Sequence, residues 1–137
     1  MSDNPEALAT VRAIITHTQY QTIVTSGKHT VIADEPEDLE GGDTGMSPNE
    51  LLLASLSSCT AITLQMYIKR KMWVVDDITI DLSLHQTETG ILIKTDIKVK
   101  GQLNDEQIKR LTYIADVCPV HKMLVGEIVI ATNLVKA

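Results

Sequence analysis

The chain has 137 residues, is 44% hydrophobic but only 3% aromatic, contains no Phe, and carries a formal charge of −6. That length suits one domain, residues 1–137, with a real core. The acidic balance excludes a nucleic-acid partner, which would call for a basic surface to displace counterions. With so few rings, the core has to be built from Leu, Ile, Val, Ala and Met.

In chain order, residues 1–7 read as a loose arm without the basic-then-apolar layout of a secretory leader, so cytoplasmic residence is expected. Residues 10–16, 20–25 and 30–33 are rich in Thr, Val and Ile, with Ser26-Gly27 as a turn signal, and predict an antiparallel three-stranded meander. Residues 34–45 have no apolar period. They carry Asp34, Glu35, Glu37, Asp38, Glu40 and Asp43 with Gly41, Gly42 and Gly45, the composition of a solvated surface loop. A mobile flap over a neighbouring site is the alternative reading.

The stretch 45–71 organises the rest. Ser47 can cap a helix, Pro48 suits its first position, and Glu50 completes a capping box. Residues 51–68 contain no Pro, Gly or charge. Leu51, Leu52, Leu53, Leu56, Ile62, Leu64, Met66 and Ile68 point around most of the helix, which predicts burial on nearly all sides. A membrane span is the competing reading. The repeated Ser and Thr, the capping box and the Lys69-Arg70-Lys71 end favour a core helix, so no membrane partner is expected. Cys59 sits among its small residues.

Further on, Ile78, Ile80, Leu82 and Leu84 alternate with polar residues, as do Ile91, Ile93, Thr95, Ile97 and Val99. The pattern predicts a hairpin with one wet face, where strand aspartates could pair with lysines across it. Asn104 with Gln107 predicts a second capped helix, with Ile108, Leu111, Ile114, Ala115 and Cys118 as its apolar stripe. Pro119 opens a short helical turn that Gly126 ends. Residues 127–134 read as a last strand. The order predicts an α+β fold with helices on one face of antiparallel sheets.

Function turns on two cysteines. In a reducing cytoplasm they are either small core residues or a working pair. Cys118, just ahead of a Pro that starts a helical turn, lies where backbone N–H groups favour a thiolate. Cys59, deep in an apolar helix, should have a raised pKa. Cys118 and His121 have C-x-x-H spacing, but a structural zinc site wants two such halves, so neither metal nor other cofactor is expected. His17, His29 and His85 read as surface residues. No phosphate-cradling Gly loop and no G-x-S-x-G are present.

Residues 45–59, GMSPNELLLASLSSC, followed by residues 117–124, VCPVHKML, resemble the paired motifs of the OsmC/Ohr-like family, in the form of its less characterised OsmC-like branch. The resemblance implies an OsmC-like fold, antiparallel sheets around a long buried central helix in an intertwined homodimer, with sites built from both chains. It also implies reduction of organic hydroperoxides: Cys59 as the peroxidatic residue, Cys118 as the resolving one, and an external thiol as reductant. This reverses the roles that the helix dipole alone suggests. Active members pair an N-terminal Arg with a Glu near the helix start. Here the Glu position falls on Asn49, with Glu50 one later and already suited to capping. Arg12 and Lys28 are the N-terminal cations on offer, and no Arg lies between Arg12 and Arg70. Asn49, Arg12 and His121 are therefore candidate binding residues. The alternative is a dimer of the same fold that binds an apolar small molecule at its interface, with the cysteines as packing residues.

Overall fold

The computed structural model describes residues 6–137, so residues 1–5 of the expected arm lie outside the described residues. The chain forms two compact units, divided between Leu52 and Leu53.

The first unit contains the expected meander: β1 (Arg12–Ile15), β2 (Thr22–Ser26) and β3 (His29–Ala33), antiparallel in the order β1-β2-β3. Ile14 faces Ile23, and Ile23 faces Ile32 in turn, so one apolar row crosses the sheet. Gly27, with φ of 58°, makes the turn that leads into β3.

The acidic segment that follows is more ordered than a solvated loop. Asp34 is only 2% exposed, and its carboxylate accepts from the Glu35 N–H, the Thr44 N–H and the Thr44 hydroxyl. Those bonds, the Thr44 hydroxyl first, hold the Asp34 carboxyl below its ordinary pKa. The Asp34 N–H donates to the Met46 carbonyl at 3.1 Å. Gly45 is required there, because a Cβ would collide with the Ile32 carbonyl. The other five carboxylates remain outside this knot, and Glu37, Asp38, Glu40 and Asp43 are exposed.

Helix α1 (Pro48–Lys71) begins as its sequence predicts. The Glu50 N–H donates to Ser47 Oγ at 3.2 Å, and the Ser47 N–H donates to Glu50 Oε1 at 2.9 Å, a reciprocal capping box. The helix closes on Met72 in the left-handed region, φ 58°. The Met72 N–H donates to Lys69 O and the Trp73 N–H to Ile68 O, both at 3.1 Å, which is a Schellman closure.

In the second unit, β4 (Val75–Gln86) and β5 (Ile91–Gly101) form the expected hairpin. Ile78 faces Val99, and Ile80 faces Ile97. Helix α2 (Asp105–Asp116) is capped by Asn104, whose side chain accepts from the Gln107 N–H. Helix α3 (Pro119–Val125) takes Cys118 as its N-cap residue. The core joins Leu64, Tyr67 and Ile68 of α1 to Leu111, Ile114 and Ala115 of α2, with Trp73, Val75, Ile78, Ile80 and Ile97 packed around them.

Four further expectations are corrected. Helix α1 is not buried on nearly all sides: its buried residues are Leu56, Thr60, Leu64, Tyr67 and Ile68, one stripe at helical spacing. Ile62 is 54% and Met66 69% exposed. Residues 127–134 form no strand, and Val129 is 88% exposed, because strand propensity needs a paired neighbour to be realised. On the outer hairpin face Asp77 opposes Lys100, but Asp81 opposes Asp96, with Lys94 and Lys98 on its diagonals. Among the described residues no Lys or Arg comes within 4.0 Å of a carboxylate; the one such contact is His121 to Asp116. Ile108, placed on the apolar stripe of α2, is 44% exposed.

Leu64 has no exposed surface, so Leu64→Ala is expected to cost about 2–5 kcal/mol by cavity formation, measured by equilibrium denaturation. Met72 is 86% exposed, so its side chain contributes little packing. Met72→Gly should therefore raise the same stability, by up to about 1 kcal/mol, by relieving the left-handed backbone.

Candidate active site

Cys59 lies in the middle of α1, on the flank of the buried stripe that contains Thr60 and Leu64, and is half-buried. Cys118 continues the buried stripe of α2 one turn beyond Ile114 and Ala115, and has no exposed surface. Packing α1 on α2 therefore brings together two thiols that are remote in the chain. Each is near enough to shift the ionisation of the other. Both are reduced.

Their environments push them apart. Burial raises the Cys59 thiol above its ordinary pKa, and the hydrogen bond with Cys118 and the charge on that sulfur raise it further. The Val120 N–H and the Thr63 side chain oppose this without overcoming it. Burial also acts to raise Cys118, yet the net direction is downward, because the Cys59 thiol, the His121 N–H, the Thr60 hydroxyl and the Val120 N–H all favour a thiolate there. The His121 N–H to Cys118 Sγ distance is 3.4 Å. Thr60 also donates to the Leu56 carbonyl at 3.0 Å, so its help to Cys118 competes with that bond. The two thiols are thus shifted in opposite directions, Cys59 upward and Cys118 downward, and they titrate as a coupled pair.

The remaining sequence candidates are placed as follows. His121 sits in the first turn of α3, and its backbone N–H, not its ring, is what reaches Cys118; its Nδ1 is 4.0 Å from Asp116 Oδ1. Glu50 lies in the first unit, with its carboxylate engaged by the Ser47 N–H, which holds it below the ordinary carboxyl pKa. Asn49 is exposed in the first turn of α1, and Arg12 is exposed on β1, opposite Thr25. Thr60, Thr63 and Val120 were not singled out from sequence. Thr63 could have been found, since it lies four positions beyond Cys59 on a helix; Thr60 could not, because it acts on Cys118 and so depends on how α1 packs on α2. The Val120 N–H could not, because it depends on how α3 turns back. No group of three or more His, Cys, Asp or Glu residues able to hold a metal exists among the described residues.

The family model for OsmC-like proteins matches residues 41–133. A search of curated proteins finds no match. Among solved structures, an OsmC-like protein from Mycoplasma pneumoniae superposes with a TM-score of 0.75 at 17% identity, covering 91% of this chain and 90% of that one. The organic hydroperoxide resistance protein OsmC from Legionella pneumophila gives a TM-score of 0.61 at 21% identity, over 88% and 93% of the two chains. The organic hydroperoxide resistance protein OhrB of Bacillus subtilis gives 0.59 at 25% identity, over 88% and 92%. The α+β arrangement of antiparallel sheets with a long central helix is the fold of these proteins. With the family model matched over more than half its length, the chain belongs to the OsmC-like protein family.

Proposed function

We propose that the chain reduces organic hydroperoxides through Cys59 and Cys118, as a homodimer in a thiol-reducing compartment such as the cytoplasm, with an external thiol as reductant. The observation that carries this reading is the pair itself: two free cysteines, remote in the chain, near enough to shift each other's ionisation, one with partial access to solvent and one fully buried. Family relatives described as organic hydroperoxide resistance proteins support the substrate class.

The opposite shifts give each sulfur a role, with Cys118 the one to ionise first. Passing the Cys59 proton to the Cys118 thiolate makes Cys59 the nucleophile without a further ionisation. Cys59 attacks one peroxide oxygen, the O–O bond breaks, and Cys59 becomes a sulfenic acid while an alkoxide leaves. Cys118 returns the proton to the alkoxide, which departs as the alcohol, and is again a thiolate. It then attacks the Cys59 sulfur, expels hydroxide and forms the disulfide. Two external thiols restore the pair, becoming a disulfide themselves. On this scheme the pair does for itself what a neighbouring cation would otherwise do.

Cumene hydroperoxide turnover tests it. Cys59→Ser should fall to background. Cys118→Ser should over-oxidise at Cys59 and need a higher pH to react, because the remaining thiol has lost its base. In the wild type the rate should rise with pH through an apparent pKa below the ordinary thiol value, and the substitution should move that rise above it. Equal background rates in all three proteins would sink the enzyme reading. They would favour the binder of an apolar small molecule, for which the groove lined by Thr95, Ile97, Val99, Ile108, Leu111 and Thr112 is the supporting observation.

The dimer is supported by what α1 leaves uncovered. Ile62 and Met66 lie on an apolar helix face that nothing in the second unit covers, and residues 128–130 are exposed as well. A second copy seated on that face should give a dimer in sedimentation at micromolar concentration. Ile62→Glu should shift it to monomer by placing a charge in the contact; a monomeric wild type would overturn the assembly.

A further inference from the structure

We propose that the C-terminal end of α1 and the adjoining face of α2 form a binding site for a phosphate dianion, free or as the phosphoryl group of a small molecule, centred on Tyr67. The site is independent of the cysteines. Tyr67 is a core residue, only 6% exposed, with Trp73 edge-on to its ring at 5.5 Å between centroids. Three cations converge on that one ring: the Arg70 guanidinium carbon at 5.5 Å, Lys71 Nζ at 5.7 Å and the Arg110 guanidinium carbon at 5.7 Å from its centroid.

Arg110 is the informative member. The helix dipole accounts for Lys69, Arg70 and Lys71 in the last turn of α1. Arg110 lies in the middle of α2, where no such effect operates. Its Nε donates to the Tyr67 hydroxyl at 3.0 Å, and its guanidinium also lies 5.1 Å from the Tyr113 ring centroid. Held by its Nε edge and that ring, the guanidinium keeps its two terminal amino groups for another acceptor. The phenol is in the same position: it accepts from Arg110, and among the described residues nothing accepts the proton of its own O–H.

No carboxylate answers these charges. Among the described residues the one cation–carboxylate contact within 4.0 Å is His121 to Asp116, although the chain as a whole carries −6. Like charges gathered around one buried phenol repel unless a counter-anion joins them. Two guanidinium forks, an ammonium and a phenol O–H offer more donors than a planar carboxylate has lone pairs to receive. They suit a tetrahedral dianion with several oxygens.

The test is titration of the full chain with inorganic phosphate and, separately, phenyl phosphate, at constant ionic strength. It is followed by NMR of the backbone amides and the arginine Nε–H groups, with chloride and acetate as controls. Saturable shifts centred on Arg110, Arg70 and Tyr67 are expected with at least one phosphate and not with the controls. Tighter binding of phenyl phosphate identifies an organic phosphate as the ligand, and equal or tighter binding of inorganic phosphate identifies the free ion. Arg110→Gln should weaken binding on the order of tenfold, the loss expected for one charge-assisted fork. Tyr67→Phe should weaken it less while keeping the buried ring, and Lys94→Gln, on the hairpin, should leave it unchanged. Shifts that do not saturate, that chloride reproduces, or that survive Arg110→Gln at full affinity would overturn the site.

Discussion

The packing of Leu64, Tyr67 and Ile68 against Leu111, Ile114 and Ala115 decides where the reactive groups of the second unit lie. Helical periodicity turns that one contact into two placements. Thr60 is on the same stripe as Leu64, so Cys59, one residue away, falls on the flank and keeps partial exposure. Cys118 lies three and four residues beyond Ala115 and Ile114, so it continues the buried stripe and has none. Pro119 then breaks the backbone course and starts α3, whose first N–H groups turn toward the Cys118 sulfur. Sulfur proximity, unequal access and unequal ionisation thus have one mechanical origin.

Neither sulfur is well equipped alone. Cys59 keeps partial exposure, yet burial raises its pKa; Cys118 has its pKa lowered, yet has no exposed surface. On the proposed mechanism the pair meets this conflict by division of labour: Cys118 would be the base that takes the Cys59 proton, even though their mutual interaction moves the two proton affinities in opposite directions. The same reasoning shows why the dipole-based and motif-based assignments of the two cysteines differ without contradiction. One concerns which sulfur is the more acidic, and the other which sulfur is partly exposed.

Much of this was legible in the sequence because local rules operate where the chain meets water or turns. The Ser47–Glu50 and Asn104–Gln107 boxes, the break at Pro119 and the hairpin alternation depend on neighbours a few residues away, and they appear where expected. What was not legible depends on partners distant in the chain. Apolar residues around α1 imply burial all round, but they cannot say how many of its faces this chain itself covers. Residues 127–134 have strand composition, yet a strand exists only against another edge. Asp34 looked like one of six solvated acids; its burial follows from Thr44 and Gly45 folding back on it, which no charge count reveals. The convergence of Arg110 and α1 on Tyr67 was invisible for the same reason.

The uncovered face of α1 bears directly on the thiols. Ser55, Ser58, Ile62 and Met66 are exposed around half-buried Cys59, so the cysteine stands on the border between the covered and uncovered sides of its helix. A second copy seated on Ile62 and Met66 would also close over Cys59 and exclude water from it. Drying a thiol disfavours its charged form still further, so the more completely the dimer encloses Cys59, the more its reactivity depends on having a base inside the same enclosure. Among the residues that touch Cys59, Cys118 is the one able to take its proton. On the proposed mechanism, enclosure and the second sulfur would therefore be a matched requirement: a dry crevice would protect a sulfenic acid from over-oxidation, and Cys118 would supply the base that lets a nucleophile form there.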